Sequence, residues 1–242
     1  MKRVVACSLW LWSLGAACFA GSVEFTSGNA NVSFSLVSSN VLQVTLTNNS
    51  LMTATSPNDV LTGVHFSTQQ NLSPVMAYVN GVQNLLNCPS CSNASMNIGS
   101  EWAYQNAVSG LAPTAVNLLG AADFGTFSLS NRFDTGNIAG TTGVGGIDFG
   151  IVGPGGVNAA LSGSPLVSRQ AVFVFTTGRG FDTNSIGSVG FVYGSGNYVT
   201  AYNNLLYGAT LSSFASAPEP QSWALIGLGV AALGWMRRKR AA

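Results

Sequence analysis

Residues 32–47 read Val-Ser-Phe-Ser-Leu-Val-Ser-Ser-Asn-Val-Leu-Gln-Val-Thr-Leu-Thr. Val32, Phe34 and Leu36 alternate with Ser33 and Ser35, and Leu42, Val44 and Leu46 alternate with Gln43, Thr45 and Thr47. Successive side chains of a strand point to opposite faces, so a period of two predicts two strands with one buried face. Ser38-Ser39-Asn40 between them is turn chemistry, and the segment reads as a hairpin. Outward from it, apolar runs at Leu61–Phe66, Val75–Val79, Ile147–Val152, Ala171–Thr176 and Ile186–Tyr193 are bounded by Gly, Pro or Asn. Only Ala112–Gly120 and Tyr202–Tyr207 read as short helices. Strands separated by turns, without helical crossovers, predict an all-β body: a single antiparallel β-sandwich, jelly-roll-like, over residues 21–208.

The chain has 242 residues, of which only 7% are charged. Between Gly21 and Ala217 lie seven acids (Glu24, Asp59, Glu101, Asp123, Asp134, Asp148, Asp182) and three arginines (Arg132, Arg169, Arg179), a net −4. The overall +1 comes from the basic ends, which also hold both lysines, Lys2 and Lys239. A body without lysine cannot neutralise a run of phosphates, so nucleic acid is not an expected partner. Asn, Ser, Thr and Gly supply its polarity, with enough apolar residues between them to fold, a composition that suits an extracellular β-protein.

Few residues in this body suggest chemistry. Cys88-Pro89-Ser90-Cys91 has the spacing of a thioredoxin-like redox site, but its flanks, Asn87 and Ser92-Asn93-Ala94-Ser95, are a polar loop rather than a strand and a helix. In an oxidising compartment thiols this close are expected to pair as a structural disulfide. His65 is the single histidine and falls in the run Leu61–Phe66, on the face opposite Val64 and Phe66, where it is expected to meet solvent or a loop. One histidine and no Gly-x-Ser-x-Gly elbow give no support to a nucleophilic triad. Zinc lacks ligands, and no Asp-rich calcium loop occurs, so neither a metal nor a cofactor is expected. Glu101, Asp123, Asp134 and Asp148 offer carboxylates for glycan hydrolysis, though any domain with seven acids offers such pairs. Trp102 and Tyr104, with Tyr193 and Tyr198, are candidate platforms for sugar rings; in Glu101-Trp102-Ala103-Tyr104 the alternation equally places both rings in a core. Glycine-dense Gly136–Gly156 reads as loops around one strand.

The two ends are more explicit. Lys2 and Arg3, then the apolar stretch Val4–Ala17, then Cys18-Phe19-Ala20 form a three-part signal peptide over residues 1–20, with cleavage between Ala20 and Gly21 and export by the general secretion machinery. Gly15-Ala16-Ala17-Cys18 is a rival, lipoprotein-type cut, with Gly where Leu is expected. At the other end, residues 209–217 read as a Ser/Ala linker, and Pro218-Glu219-Pro220 opens a tail over 218–242. Two prolines fix φ and prevent strand pairing, so this tripeptide is extended and accessible. Trp223–Met236 is apolar or glycine throughout, and a transmembrane helix is expected over about 222–236. Its span of roughly 21 Å is short against a core near 30 Å. Arg237, Arg238, Lys239 and Arg240 form the basic end that stays cytoplasmic, which puts the body outside.

Pro-Glu-Pro, an apolar helix and an arginine-rich end, in that order, resemble the PEP-CTERM sorting signal of exosortase-dependent surface proteins of Gram-negative bacteria. The resemblance implies processing by an exosortase near Pro218-Glu219-Pro220 and an association with exopolysaccharide and biofilm matrix. The body is similar to one group of these proteins over Glu101–Tyr104, Gly146–Ile151, Ala171–Phe175 and Ile186–Phe191, a group without an assigned biochemical activity. The expectation is therefore a protein that is not an enzyme. It passes through an inner-membrane intermediate with its N-terminus out and C-terminus in, then acts at the cell surface or in the matrix in a structural or interaction role. A carbohydrate-binding module and, behind it, a glycan hydrolase are the alternatives.

Overall fold

The alternation at residues 32–47 becomes two long antiparallel strands joined by a turn at Ser39-Asn40, with Val32 opposite Leu46, Phe34 opposite Val44 and Leu36 opposite Leu42. The computed structural model describes residues 21–89, 91, 95–108, 116–121, 132–133, 147–194, 207–208 and 210–215. In chain order its strands begin β1 (Ser22–Ser27), β2 (Ala30–Ser38), β3 (Val41–Asn48), β4 (Leu61–Ser67) and β5 (Ser73–Asn80). They continue β6 (Leu85–Leu86), β7 (Ser95–Asn97), β8 (Ala103–Val108), β9 (Val116–Gly120) and β10 (Ile151–Val152). The last are β11 (Leu166–Ser168), β12 (Gln170–Thr176), β13 (Gly187–Tyr193), β14 (Tyr207–Gly208) and β15 (Thr210–Ala215). All lie in one compact unit, Phe19–Ser216.

The strands form two sheets. One is seven-stranded, in the order β15-β1-β2-β3-β12-β5-β7. The other is eight-stranded, β14-β13-β4-β10-β11-β6, with β9 also on β4 and β8 beyond β9. Pairing is antiparallel apart from β10 with β11 and a single bridge between Ala54 and Val157. The body is thus all-β, as the alternation predicts, but its second sheet is mixed rather than purely antiparallel.

Aromatic rings from both sheets meet in the core. Phe34 of β2 lies 4.9 Å from Phe66 of β4, Tyr104 of β8 lies 4.8 Å from Phe175 of β12, and Trp102 lies 4.6 Å from Phe173 (ring centroids). These rings are almost wholly removed from water, and edge-to-face pairs add directional preference to the area they bury.

Several local expectations change. Of the stretch read as a helix at Ala112–Gly120, Val116–Gly120 is strand β9, held between β4 and β8. Asn117, Leu118, Leu119 and Gly120 are all buried, so the continuous apolar character reflects cover on both faces, not a helical stripe. Tyr207 begins a strand, while 202–206 lie outside the described residues. Of Ile147–Val152 only Ile151–Val152 is strand: residues 147–149 turn, with Phe149 at φ +58° and Gly150 N–H donating to Ile147 C=O. The expected linker contains strand β15, which pairs with β1 from Ser22–Ala215 to Thr26–Thr210, so backbone pairing extends to Ala215.

His65 is the largest departure. It is buried, not solvent-facing, because every residue from Leu61 to Phe66 is covered. The imidazole fits only because β13 carries glycine opposite: a Cβ on Gly190 would stand 2.2 Å from Nε2. Burial lowers the imidazole to about 4, against a smaller opposing pull from the Ser188 backbone, and Nδ1 has no hydrogen-bond partner among the described residues. The folded state therefore binds the proton less readily than the unfolded chain. Stability is full above the unfolded value near 6.5 and falls as pH drops through about 4, by about 3 kcal/mol. Urea unfolding of the parent and His65→Asn at pH 7.5 and 4.5 checks this. The parent should lose about 3 kcal/mol more than the variant on acidification; equal losses would show that His65 is not the titrating group.

Candidate functional site

A cleft of about 250 Å³ opens where the β1–β2 turn, the end of β3, the loop after it and the end of β13 converge. Ser27, Gly28 and Asn29 line it from the turn, Asn48 from β3, Ser50, Met52, Asn58 and Asp59 from the loop, and Tyr193 from β13. Its shape is held by short-range polar contacts. Asn48 is buried, donates from Nδ2 to Ile151 C=O (3.1 Å) and accepts Ser50 N–H at Oδ1 (3.0 Å). Asn49 N–H donates to Asn29 C=O (2.8 Å), tying the loop to the β1–β2 turn. Gly28 takes φ +56° in that turn, a region that favours glycine.

The loop 50–54 lies directly on residues 153–156. Ala54 N–H donates to Gly156 C=O (2.9 Å) and the Thr53 hydroxyl to Gly155 C=O (3.1 Å). This approach requires glycine at 153: a Cβ there would stand 2.0 Å from the Ser50 carbonyl oxygen, a backbone atom with no rotamer to escape into. Gly153→Ala should therefore cost about 1–3 kcal/mol, as overpacking does, and displace Ser50 in the cleft lining. Denaturant unfolding checks it; a change below about 0.5 kcal/mol, the surface level, would show that the loop is free to shift.

Among the described residues Asp59 is the only carboxylate in the lining. Its Oδ2 accepts from the backbone N–H and the hydroxyl of both Thr55 and Ser56, at 2.8–3.2 Å. Donation from the Thr55 backbone, with smaller help from Ser56 and the hydroxyls, holds the carboxyl below the usual range, so it is an anion at neutral pH. No hydrogen bond from the described residues reaches its Oδ1, and no Lys, Arg or His lines the cleft.

The residues singled out in the sequence fall in different places. Tyr193 is half-buried and belongs to the cleft. Trp102 and Tyr104 do not: both are core residues, and a ring without exposed face cannot stack on a sugar. Burial and pairing explain their positions. Trp102 Nε1 donates to Phe149 C=O (3.1 Å), and the Tyr104 hydroxyl donates to Asn106 Oδ1 (2.8 Å), its phenol pushed up by burial. Cys88 and Cys91 are joined by a disulfide, Cα to Cα 5.4 Å, and pack against the core. Glu101 is buried beside the Ser100 hydroxyl (3.3 Å). Among the described residues no three His, Cys, Asp or Glu side chains gather as metal ligands. Tyr198, Asp123, Asp134, the signal peptide to Ala20 and the tail from Pro218 lie outside the described residues. So does the expected span at 222–236; within the described residues no helix is long and apolar enough to cross a membrane.

Asn29, Asn48, Asn58 and Asp59 were not legible as site residues. Asn48-Asn49-Ser50 and Ser56-Pro57-Asn58-Asp59 read only as turn punctuation, and nothing in one strand's pattern tells which turns will converge.

In sequence the all-β body is followed by a proline-bracketed, basic-ended tail. The tail has a specific match: residues 216–239 fit the family model described as the PEP-CTERM protein-sorting motif. Pro218, Glu219, Pro220, Arg237, Arg238 and Lys239 fall within it, and Arg240 follows directly. The motif is consistent with an exosortase-dependent PEP-CTERM protein: it implies export, a membrane-anchored C-terminal signal before cleavage, and an exosortase as processing partner. No curated protein and no solved structure matches the chain.

Proposed function

We propose that the exported chain is held in the inner membrane through residues 222–236, body outside and Arg237–Arg240 inside, until an exosortase processes it near Pro218-Glu219-Pro220. The body, which we read as a sandwich of the two sheets, then serves a non-enzymatic structural or interaction role in the envelope or biofilm exopolysaccharide. The observation that carries this reading is the sorting motif at 216–239. Mapping both termini of protein recovered from outside the cells tests it. The expected chain starts at Gly21 and has lost the apolar segment after Pro220; a lipid on Cys18, or an intact tail in the released protein, would overturn it.

The cleft supports carbohydrate binding as the form of that interaction. A glycosidase needs two carboxylates about 5–9.5 Å apart; among the described residues the lining brings one, Asp59, which favours binding over hydrolysis as the reading of this cleft.

A further inference from the structure

We propose that the cleft between the β1–β2 turn and the Ser50–Asp59 loop binds a single uncharged sugar unit of a neutral glycan. The inference rests on the reading of the body as a displayed interaction protein and names its site and ligand class. Size sets the first limit. At about 250 Å³ the cleft falls just under the ~300–1,000 Å³ that enclose drug-sized ligands, which suits one ring with its neighbours left in solvent.

Charge sets the second. Among the described residues the sole formal charge in the lining is the Asp59 carboxylate, hydrogen-bonded by Thr55 and Ser56. An acidic sugar would bring a second anion beside it with no cation among the described lining residues to compensate, and like charges at contact repel. A hydroxyl, in contrast, is the donor that Asp59 Oδ1 lacks. Among the described residues a bare metal ion finds one carboxylate and no supporting cluster.

The remaining lining matches both sides of a sugar. Asn29 and Asn58 are exposed, and their amides, each with donors and an acceptor, can pair with hydroxyls of either sense. The half-buried Tyr193 ring and the Met52 side chain, 76% exposed, offer apolar surface to the C–H face. The groups are oriented before the ligand arrives, since Asn48, Asn49, Thr53 and Asp59 already fix both loops. Such preorganisation lowers the cost of binding.

The test uses the processed protein recovered from the host, titrated with neutral trisaccharides (glucose, galactose, mannose and N-acetylglucosamine types) and with oligogalacturonate. Saturable binding of at least one neutral trisaccharide is expected, with oligogalacturonate at least tenfold weaker. Asn29→Ala and Asn58→Ala, both at exposed positions, should each weaken it about fivefold or more with unfolding unchanged, and Tyr193→Ala more. Tyr193→Phe should keep the ring contact and most of the affinity. Preference for the acidic chain, unaltered affinity in the Asn29→Ala/Asn58→Ala double variant, or no binding would each overturn the proposal. Correctly processed protein that binds no neutral sugar would sink this site alone; unprocessed protein retained in the inner membrane would sink the display reading itself.

Discussion

Trp102→Ala should destabilise the body by about 3–5 kcal/mol, against the roughly 5–15 kcal/mol of a whole domain. The indole is fully buried, its centroid 4.6 Å from that of Phe173. Truncation leaves a cavity between the two sheets and also strands the Phe149 carbonyl, which accepts Nε1–H at 3.1 Å. The Phe149 backbone has little room to adapt, being held at φ +58° with its N–H donated to Pro165 C=O. Trp102→Phe keeps most of the packing and loses the hydrogen bond, so a smaller loss, about 1–3 kcal/mol, is expected. Midpoints of urea unfolding at unchanged slope give both values. Effects within about 0.5 kcal/mol, the level of an ordinary surface position, would mean that the ring is not between the sheets.

Trp102 also shows what could be read from residues alone. The alternation in Glu101-Trp102-Ala103-Tyr104 placed both rings on one side of a strand, but not whether that side faced sugar or core. That depends on the second sheet, brought up by residues far away in the chain. The hairpin at Val32–Thr47 was fully legible because its two strands are adjacent and each covers one face. β9 was not, and β4, legible as a strand, was not legible in its facing, since a strand between two others and covered on both faces loses the period of two. His65 was misplaced for that reason. β15 was missed because its two large apolar residues, Leu211 and Phe214, lie three apart and break the period of two, and its pairing with β1 joins opposite ends of the body. The cleft arises the same way, from turns that meet only in three dimensions. The tail was legible because its signal lies in a short contiguous stretch.

Replacing Pro218, Glu219 and Pro220 together by alanine should abolish processing while leaving the body folded. The last described strand ends at Ala215, so no pairing among the described residues is touched. A body ending at Ala217 should likewise melt with the parent, whereas one ending at Tyr207 loses β15 and exposes the edge of β1. In the proposed membrane-held intermediate, alanines in place of the prolines release φ and allow a helix over the apolar segment to extend backwards. An enzyme that reads an extended tripeptide then meets a helix. Neutralising Arg237, Arg238, Lys239 and Arg240 acts on a different step. It removes the charge that keeps the end cytoplasmic, and mixed topology is expected instead of simple accumulation.

The most direct measurement is a fractionation blot of parent and the Pro218→Ala/Glu219→Ala/Pro220→Ala variant in a host that has the exosortase. The parent should be found shortened and outside the inner membrane, the variant at full length within it, with its body accessible from the outer side. A variant cleaved and released like the parent would contradict the sorting role of the tripeptide and leave the tail an ordinary single-span anchor.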